Sequence, residues 1–213
     1  MKFEDFKQLA LNLKNLPLPG EPSHHKMAPE ARIQWMGNNP KAPLKARKAG
    51  VMAIFYPDAQ GRTRFLLILR NVYEGVHSGQ IGFPGGKWEE GDRGILDTAL
   101  RETWEEVGIP KGDITVIREL SELYIPPSNF LVRPFLGLYP EPRPFVPDPF
   151  EVERVVEVLL EDFMDDSNRF VENLSTSFAQ RMDVPAYRLN GYTVWGATAM
   201  ILGEIQELLR MAH

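Results

Sequence analysis

Glu102, Glu105 and Glu106 stand at i, i+3 and i+4 within RETWEEVG, residues 101–108. On a helix this spacing puts three carboxylates on one face. Like charges so placed repel by about 0.2–0.5 kcal/mol per pair. Gly108 reads as the residue just past the helix end, where a left-handed conformation suits glycine. The acids therefore lie near the negative pole of the helix dipole. Local physics opposes the arrangement twice, and a hard divalent cation such as Mg²⁺, which takes oxygen ligands, supplies the compensation. Upstream, FPGG ends in Gly85 and Gly86. Without a Cβ the main chain there can approach a ligand closely and offer a backbone carbonyl to the same cation.

The elements that must hold these groups follow from periodicity. DRGILDTALRETWEEV, 92–107, predicts a helix with Leu96, Leu100, Thr103 and Val107 as its apolar face, the glutamates lying opposite. Before it, AGVMAIFY and RFLLILR read as strands joined by PDAQGRT, and GVHSGQIGFPGGKWEEGD as a glycine-rich loop. Further strands are expected at 114–120, 130–138, 153–160 and 184–195, with NG at 190–191 as a turn, and a closing amphipathic helix at about 197–211. Strands, a central helix, more strands and a final helix imply an α/β class chain, an α/β/α sandwich around a mixed β-sheet. Residues 1–48 read as an N-terminal helical extension packing on a core of residues 49–213. A helix spans 3–16 with Phe3, Phe6, Ala10 and Leu13 on one side, and a short helix follows Pro29. His24 and His25 are expected in an exposed loop.

Charge and composition exclude several classes. Net charge is −5, which gives no general attraction to nucleic acid or an anionic membrane surface. Cysteine is absent, removing disulfides, thiol catalysis and cysteine metal sites, in keeping with a reducing compartment. The N-terminal segment has no signal-peptide core, and the longest apolar runs are far too short to cross a bilayer. The expectation is a soluble cytoplasmic protein. Oligomeric state is left open, a homodimer included.

GGKWEEGDRGILDTALRETWEEVGI resembles the Nudix box, G-x5-E-x7-R-E-U-x-E-E-x-G-U. RETWEEVGI matches closely, with Thr103 at the first U position. Asp92 stands where the box has its first glutamate, with one extra residue before Arg101. Upstream, Leu66, Leu67, Arg70, Gly79 and Phe83-Pro84-Gly85-Gly86 fall in register with the signature of the coenzyme A pyrophosphatase branch, and PPSNFLVRPFLG and VWGATAMIL are also similar to it. Ile68, Asn71 and Gly75 depart from that signature.

The resemblance implies a Nudix-type sandwich and metal-dependent hydrolysis of a nucleoside diphosphate linked to another group, with Mg²⁺ or Mn²⁺ as cofactor. It makes Glu102 and Glu106 the leading metal ligands, Glu105 the next, and the Gly85 carbonyl an assistant. Glu105 and Arg101 are the candidate catalytic pair, Arg101 chiefly as a brace; Glu122 or Glu151 is an alternative base. For coenzyme A, Arg70 is the candidate contact to the 3′-phosphate, ahead of Lys45, Arg47 and Lys48. Gly86 and Phe83 complete the substrate-binding candidates, and Phe83 and Tyr124 either flank an adenine or belong to the core. Trp195 is expected to pack the last strand on the final helix. The implied partner is a small nucleotide, coenzyme A or its thioesters, with NADH or ADP-ribose as the same-fold rival. A non-catalytic nucleotide sensor ranks lower because the glutamates are present. A nucleic-acid-binding or decapping role is opposed by the charge.

Overall fold

The computed structural model describes residues 1–71, 79–174 and 181–212. In chain order its helices and strands are α1 (Phe3–Leu13), α2 (Glu21–Lys26), α3 (Glu30–Asn38), β1 (Arg47–Pro57), β2 (Thr63–Arg70), β3 (Ile81–Gly82), β4 (Gly85–Lys87), α4 (Ile95–Val107), β5 (Thr115–Glu119), β6 (Leu123–Ile125), β7 (Phe130–Leu138), β8 (Val152–Leu159), α5 (Leu160–Met164), β9 (Arg169–Leu174), β10 (Met182–Leu189), β11 (Tyr192–Trp195) and α6 (Gly196–Ala212).

The main sheet runs β3-β2-β1-β7-β5, with β4 beside β1, β6 beside β7 and β8 beside β2. Only β1 and β7 pair in parallel among these strands, so the sheet is mixed. Its central strands are apolar on both faces because both faces are covered. In β1, Ala53 and Phe55 point into a core shared with α1 and α6, while Met52, Ile54 and Tyr56 point into a second core closed by Ala99 and Val107 of α4. In β2, Phe65 and Leu67 join the first core and Leu66 and Ile68 the second. This two-sided burial makes the α/β/α layering that the element order implied. The smaller antiparallel sheet, β11-β10-β9, lies off this path. NG at 190–191 makes the turn between β10 and β11, with positive φ at Asn190 and Gly191.

Several expectations are adjusted. The helix read as 92–107 begins at Ile95, because Asp92 is held in the preceding turn by Arg101 and Thr98. Its buried face is therefore Thr98, Ala99, Thr103, Glu106 and Val107; Leu96 is exposed and Leu100 only partly covered. His24 lies in α2, buried, with Nε2 3.3 Å from Glu204 Oε2, whereas His25 is half-exposed. Glu204, buried in α6, also accepts from the Gly20 and Ser121 N–H groups and from the Ser121 hydroxyl. Those three bonds and His24 outweigh burial and hold Glu204 below the ordinary carboxylate range. The first helix enters the core directly: Phe6 stacks on Phe55 with ring centroids 4.7 Å apart. No helix among the described residues is long and apolar enough to cross a membrane.

Candidate active site

Helix α4 and the short strand β4 are set against each other by β1. Gly85 sits opposite Val51 in an antiparallel pair, at φ 143. A Cβ there would strike the Gly50 carbonyl and lie 2.5 Å from Val51 Cα. At Gly86 a Cβ would lie 2.5 and 2.6 Å from the two carboxylate oxygens of Glu102. Glycine at 86 therefore makes the space that the Glu102 head occupies.

Glu106 is almost fully buried. Its Oε2 accepts the Gly85 N–H at 2.7 Å. Its Oε1 lies 3.0 Å from Arg70 Nη1 but has no hydrogen-bond partner among the described residues. The two observations agree if the guanidinium is a charge partner badly aligned for donation. Burial pushes the Glu106 carboxyl up to about 7, against the opposing pull of Arg70 and the Gly85 N–H. Burial also raises Glu102. Two helix-end acids are thus poorly compensated by the protein itself.

A third carboxylate comes from outside the helix. Glu102, Glu106 and Glu151 each place one oxygen within 4.8 Å of the others. Glu151 is exposed in the turn just before β8, and its backbone carbonyl accepts the Asn71 N–H. Of the two loop acids considered as alternatives, Glu151 is thus at the site. Glu122 is paired with Arg133, 2.5 Å from its Nη2.

Glu105 is placed differently from expectation. Its carboxylate accepts Arg101 Nη1 at 2.8 Å, its side chain is 46% exposed, and it is not part of the acidic trio. Arg101 Nε and Nη2 hold Asp92 at 2.8 and 3.0 Å, and Nη1 lies 3.1 Å from Glu102. This forked contact, with the Thr98 hydroxyl and Glu89 N–H, keeps Asp92 well below the usual carboxylate range. Arg101 thus ties the turn before the helix to Glu102, and it also makes the i, i+4 contact to Glu105 that its spacing suggested. Past the helix end, Val146 and Asp148 N–H groups donate to the Val107 and Glu106 carbonyls, and Gly108, at φ 74, donates to Trp104. These caps offset part of the dipole penalty on Glu106.

Arg70 does not stand free for a phosphate. Its Nη2 donates to the Gly85 carbonyl at 2.8 Å while Nη1 faces Glu106. The Gly85 carbonyl thus first holds Arg70. A cavity of about 480 Å³ opens beside this group, lined by Arg70, Gly85, Gly86 and Phe83 on one side. Phe83 is also part of the α1/α6 core, as one of its two readings had it. Tyr124 stacks on Trp35, with its hydroxyl 3.0 Å from Asn129 Oδ1, and does not line the cavity. Trp195, expected as packing, does line it. Arg47 stacks on Phe130 at 4.1 Å, and neither it nor Lys45 or Lys48 lines the cavity.

The sequence profile of the NUDIX domain matches residues 46–174, more than half of the chain. The chain belongs to the Nudix family. This Nudix chain is 31% identical over 184 residues to the human mitochondrial coenzyme A diphosphatase NUDT8, covering 84% of this chain and 78% of that protein. It is 32% identical over 164 residues to Nudix hydrolase 15, mitochondrial, of Arabidopsis thaliana, covering 75% of this chain. The match spans only 57% of that plant protein's length. Among solved structures, the M. smegmatis Nudix hydrolase RenU superposes with a TM-score of 0.54 at 16% identity, over 78% of this chain and 87% of RenU, which speaks for the fold.

Proposed function

We propose that this Nudix chain is a divalent-metal-dependent pyrophosphohydrolase acting on coenzyme A or acyl-coenzyme A. The products are 3′,5′-adenosine bisphosphate and 4′-phosphopantetheine or its acyl form. The observation that carries the metal is Glu106, whose buried Oε1 has no hydrogen-bond partner among the described residues and whose carboxylate clusters with two others. An oxygen donor set of this kind fits Mg²⁺ or Mn²⁺. Glu102, Glu106 and Glu151 would hold it. When bound, such an ion neutralises the diphosphate and lowers the pKa of water.

The chain's own residues do the positioning. Arg70 fixes Glu106 and the Gly85 carbonyl, and Arg101 fixes Glu102 against Asp92. Gly86 keeps the approach to Glu102 clear. Glu151, the most exposed member of the trio, is the acid best placed to exchange a proton with solvent. In this reading residues 1–48 are an extension on a Nudix domain of residues 49–213, and its packing on that domain is supported by the burial of Phe3 and Phe6 in the shared core.

The similarity to a protein named coenzyme A diphosphatase supports the substrate. Two positions departing from the branch signature have structural work here: Ile68 is buried in the α4 core, and the Asn71 amide donates to the Pro149 carbonyl at 2.8 Å. The third, Gly75, lies outside the described residues. The deciding experiment incubates the protein with Mg²⁺ and coenzyme A, NADH, ADP-ribose or nucleoside triphosphates, and identifies products. Bisphosphate and phosphopantetheine from coenzyme A are expected. Efficient cleavage of NADH or ADP-ribose with coenzyme A untouched replaces the substrate; release of inorganic phosphate alone rules out pyrophosphate cleavage.

A further inference from the structure

Arg32 is an arginine of the N-terminal segment, 6% exposed, on α3. Its Nη2 donates to the Tyr124 carbonyl at 2.7 Å. That is the guanidinium's one hydrogen bond among the described residues, and no carboxylate there comes within ion-pair distance. Burial draws its guanidinium below its ordinary pKa, and only Glu21 acts to restore it, at longer range. A buried guanidinium with one neutral acceptor is costly unless an anion completes it. Arg32 lines the cavity beside the carboxylates.

A second group on the adjoining turn is also incomplete. Ser128 closes the 3-10 turn Pro126–Ser128 that follows β6, and it lines the same cavity. Its hydroxyl oxygen is buried with no hydrogen-bond partner among the described residues. Strand register puts this corner well away from the glutamates. Lys87 opposes Ala49, Ala49 opposes Val132 and Val132 opposes Leu123. Three strand spacings, roughly 14 Å, therefore separate β4 from β6. The Tyr124 carbonyl that holds Arg32 thus lies on a different strand of the cavity wall from the glycines beside Glu102 and Glu106.

We infer that Arg32, with Ser128 on the adjoining turn, forms a subsite for a phosphate monoester that the substrate carries outside its scissile diphosphate. The inference rests on the proposed reading of a nucleoside diphosphate substrate. It gives the N-terminal segment a part in specificity. It also moves the recognition of that phosphate from Arg70, committed to Glu106, to a guanidinium with donors to spare. A forked guanidinium and a hydroxyl suit a phosphate monoester.

The test is binding, without turnover. Full-length protein in chelator is titrated by calorimetry with 5′-AMP, 3′,5′-adenosine bisphosphate and 2′,5′-adenosine bisphosphate. One bisphosphate should bind about 10- to 100-fold tighter than AMP, the span of one or two charge-assisted bonds. Which one binds tighter tells the 3′ from the 2′ source. Arg32→Met, which keeps the apolar stem, should abolish the preference. Arg32→Lys, which keeps charge without the fork, should cut the ratio at least threefold. If Arg32→Met does not fold, as judged by its melting, the lysine variant decides. A parent that binds AMP and both bisphosphates equally, or variants that keep the parent's ratio, would overturn the subsite. Coenzyme A left uncleaved, with a tight bisphosphate preference lost in the variants, would instead fault the proposed substrate alone.

Discussion

Arg70 Nη1 lies 3.0 Å from Glu106 Oε1, yet that oxygen is buried and accepts no hydrogen bond among the described residues. The pair joins the end of β2 to the last turn of α4, with Gly85 giving its N–H to the acid and its carbonyl to the arginine. The carboxylate is fixed in place but not fully satisfied. That combination suits a ligand that must be ready before its ion arrives.

In chelator, Glu106→Gln should not destabilise the protein and should add about 1–3 kcal/mol at pH 8, the scale of a carboxyl pushed up to about 7 from an ordinary 4.5. A folded pKa above the unfolded one gives stability that is full below about 4.5 and is lost as pH rises through about 7. The parent should therefore melt higher as pH falls from 8 towards 5, and the glutamine variant should show less of that slope. With Mg²⁺ the parent should gain through linkage and the variant gain less, while turnover falls by orders of magnitude. Melting curves across pH, with and without Mg²⁺, check all three. A variant that melts lower in chelator yet turns over normally would make Glu106 a structural acid only.

Glu151→Gln and Glu105→Gln should separate cleanly. Glu151 belongs to the trio, whereas Glu105 bonds Arg101 at the surface. The first change should weaken Mn²⁺ binding, read by electron paramagnetic resonance, by about tenfold or more, the loss of one charged oxygen ligand. The second removes a surface pair worth about 0.3–0.5 kcal/mol and should shift Mn²⁺ affinity by less than about threefold. The reverse order would restore Glu105 to the ligand set and remove Glu151.

The two glycines of β4 should fail in different ways. At Gly86 a new methyl meets a side-chain carboxylate, which can swing away, so Gly86→Ala should fold with little loss of melting temperature and lose Mn²⁺ affinity. At Gly85 it meets the backbone of Gly50 and Val51, which cannot move without breaking β1, and the φ of 143 is strained for alanine. Gly85→Ala should cost about 2 kcal/mol or more in stability, by analogy with other overpacked sites. Urea unfolding of both proteins tests the contrast; equal losses would mean the Glu102 carboxylate is locked.

What was legible in the sequence depended on distance along the chain. The end of α4 was readable because Gly108 marks it locally, and both apolar strands were readable because their residues face covered layers. The start of α4 is less legible because Asp92 is drawn out of the helix by side-chain bonds from Thr98 and Arg101, which apolar periodicity does not register. The sequence suggests an exposed His24 because its partner, Glu204, is far away in sequence. Glu151 could be named only as one loop acid among others, since nothing near it shows that β8 delivers it to Glu102 and Glu106. The phosphate role expected of Arg70 came from its place upstream of the glycines. Its actual partner is the neighbouring buried acid, a contact periodicity does not reveal.

The N-terminal segment reaches into the core. Phe6 is fully buried and stacks on Phe55 of β1, which tilts onto Phe65 at 5.5 Å. Phe65 in turn meets Phe163 edge-on at 5.2 Å. A segment that merely rested on the surface would lose little when one ring is removed. A segment that completes the core loses the burial of the ring and leaves a cavity, and Phe6→Ala should then cost about 3–5 kcal/mol. For a chain of this size that lowers the melting midpoint by roughly 6–20 °C. The loss should appear as a single transition that moves as a whole, because the ring lies in the same apolar cluster as α6. A small early step, with the main transition unmoved, would show instead that residues 1–48 unfold on their own and that the core stands without them.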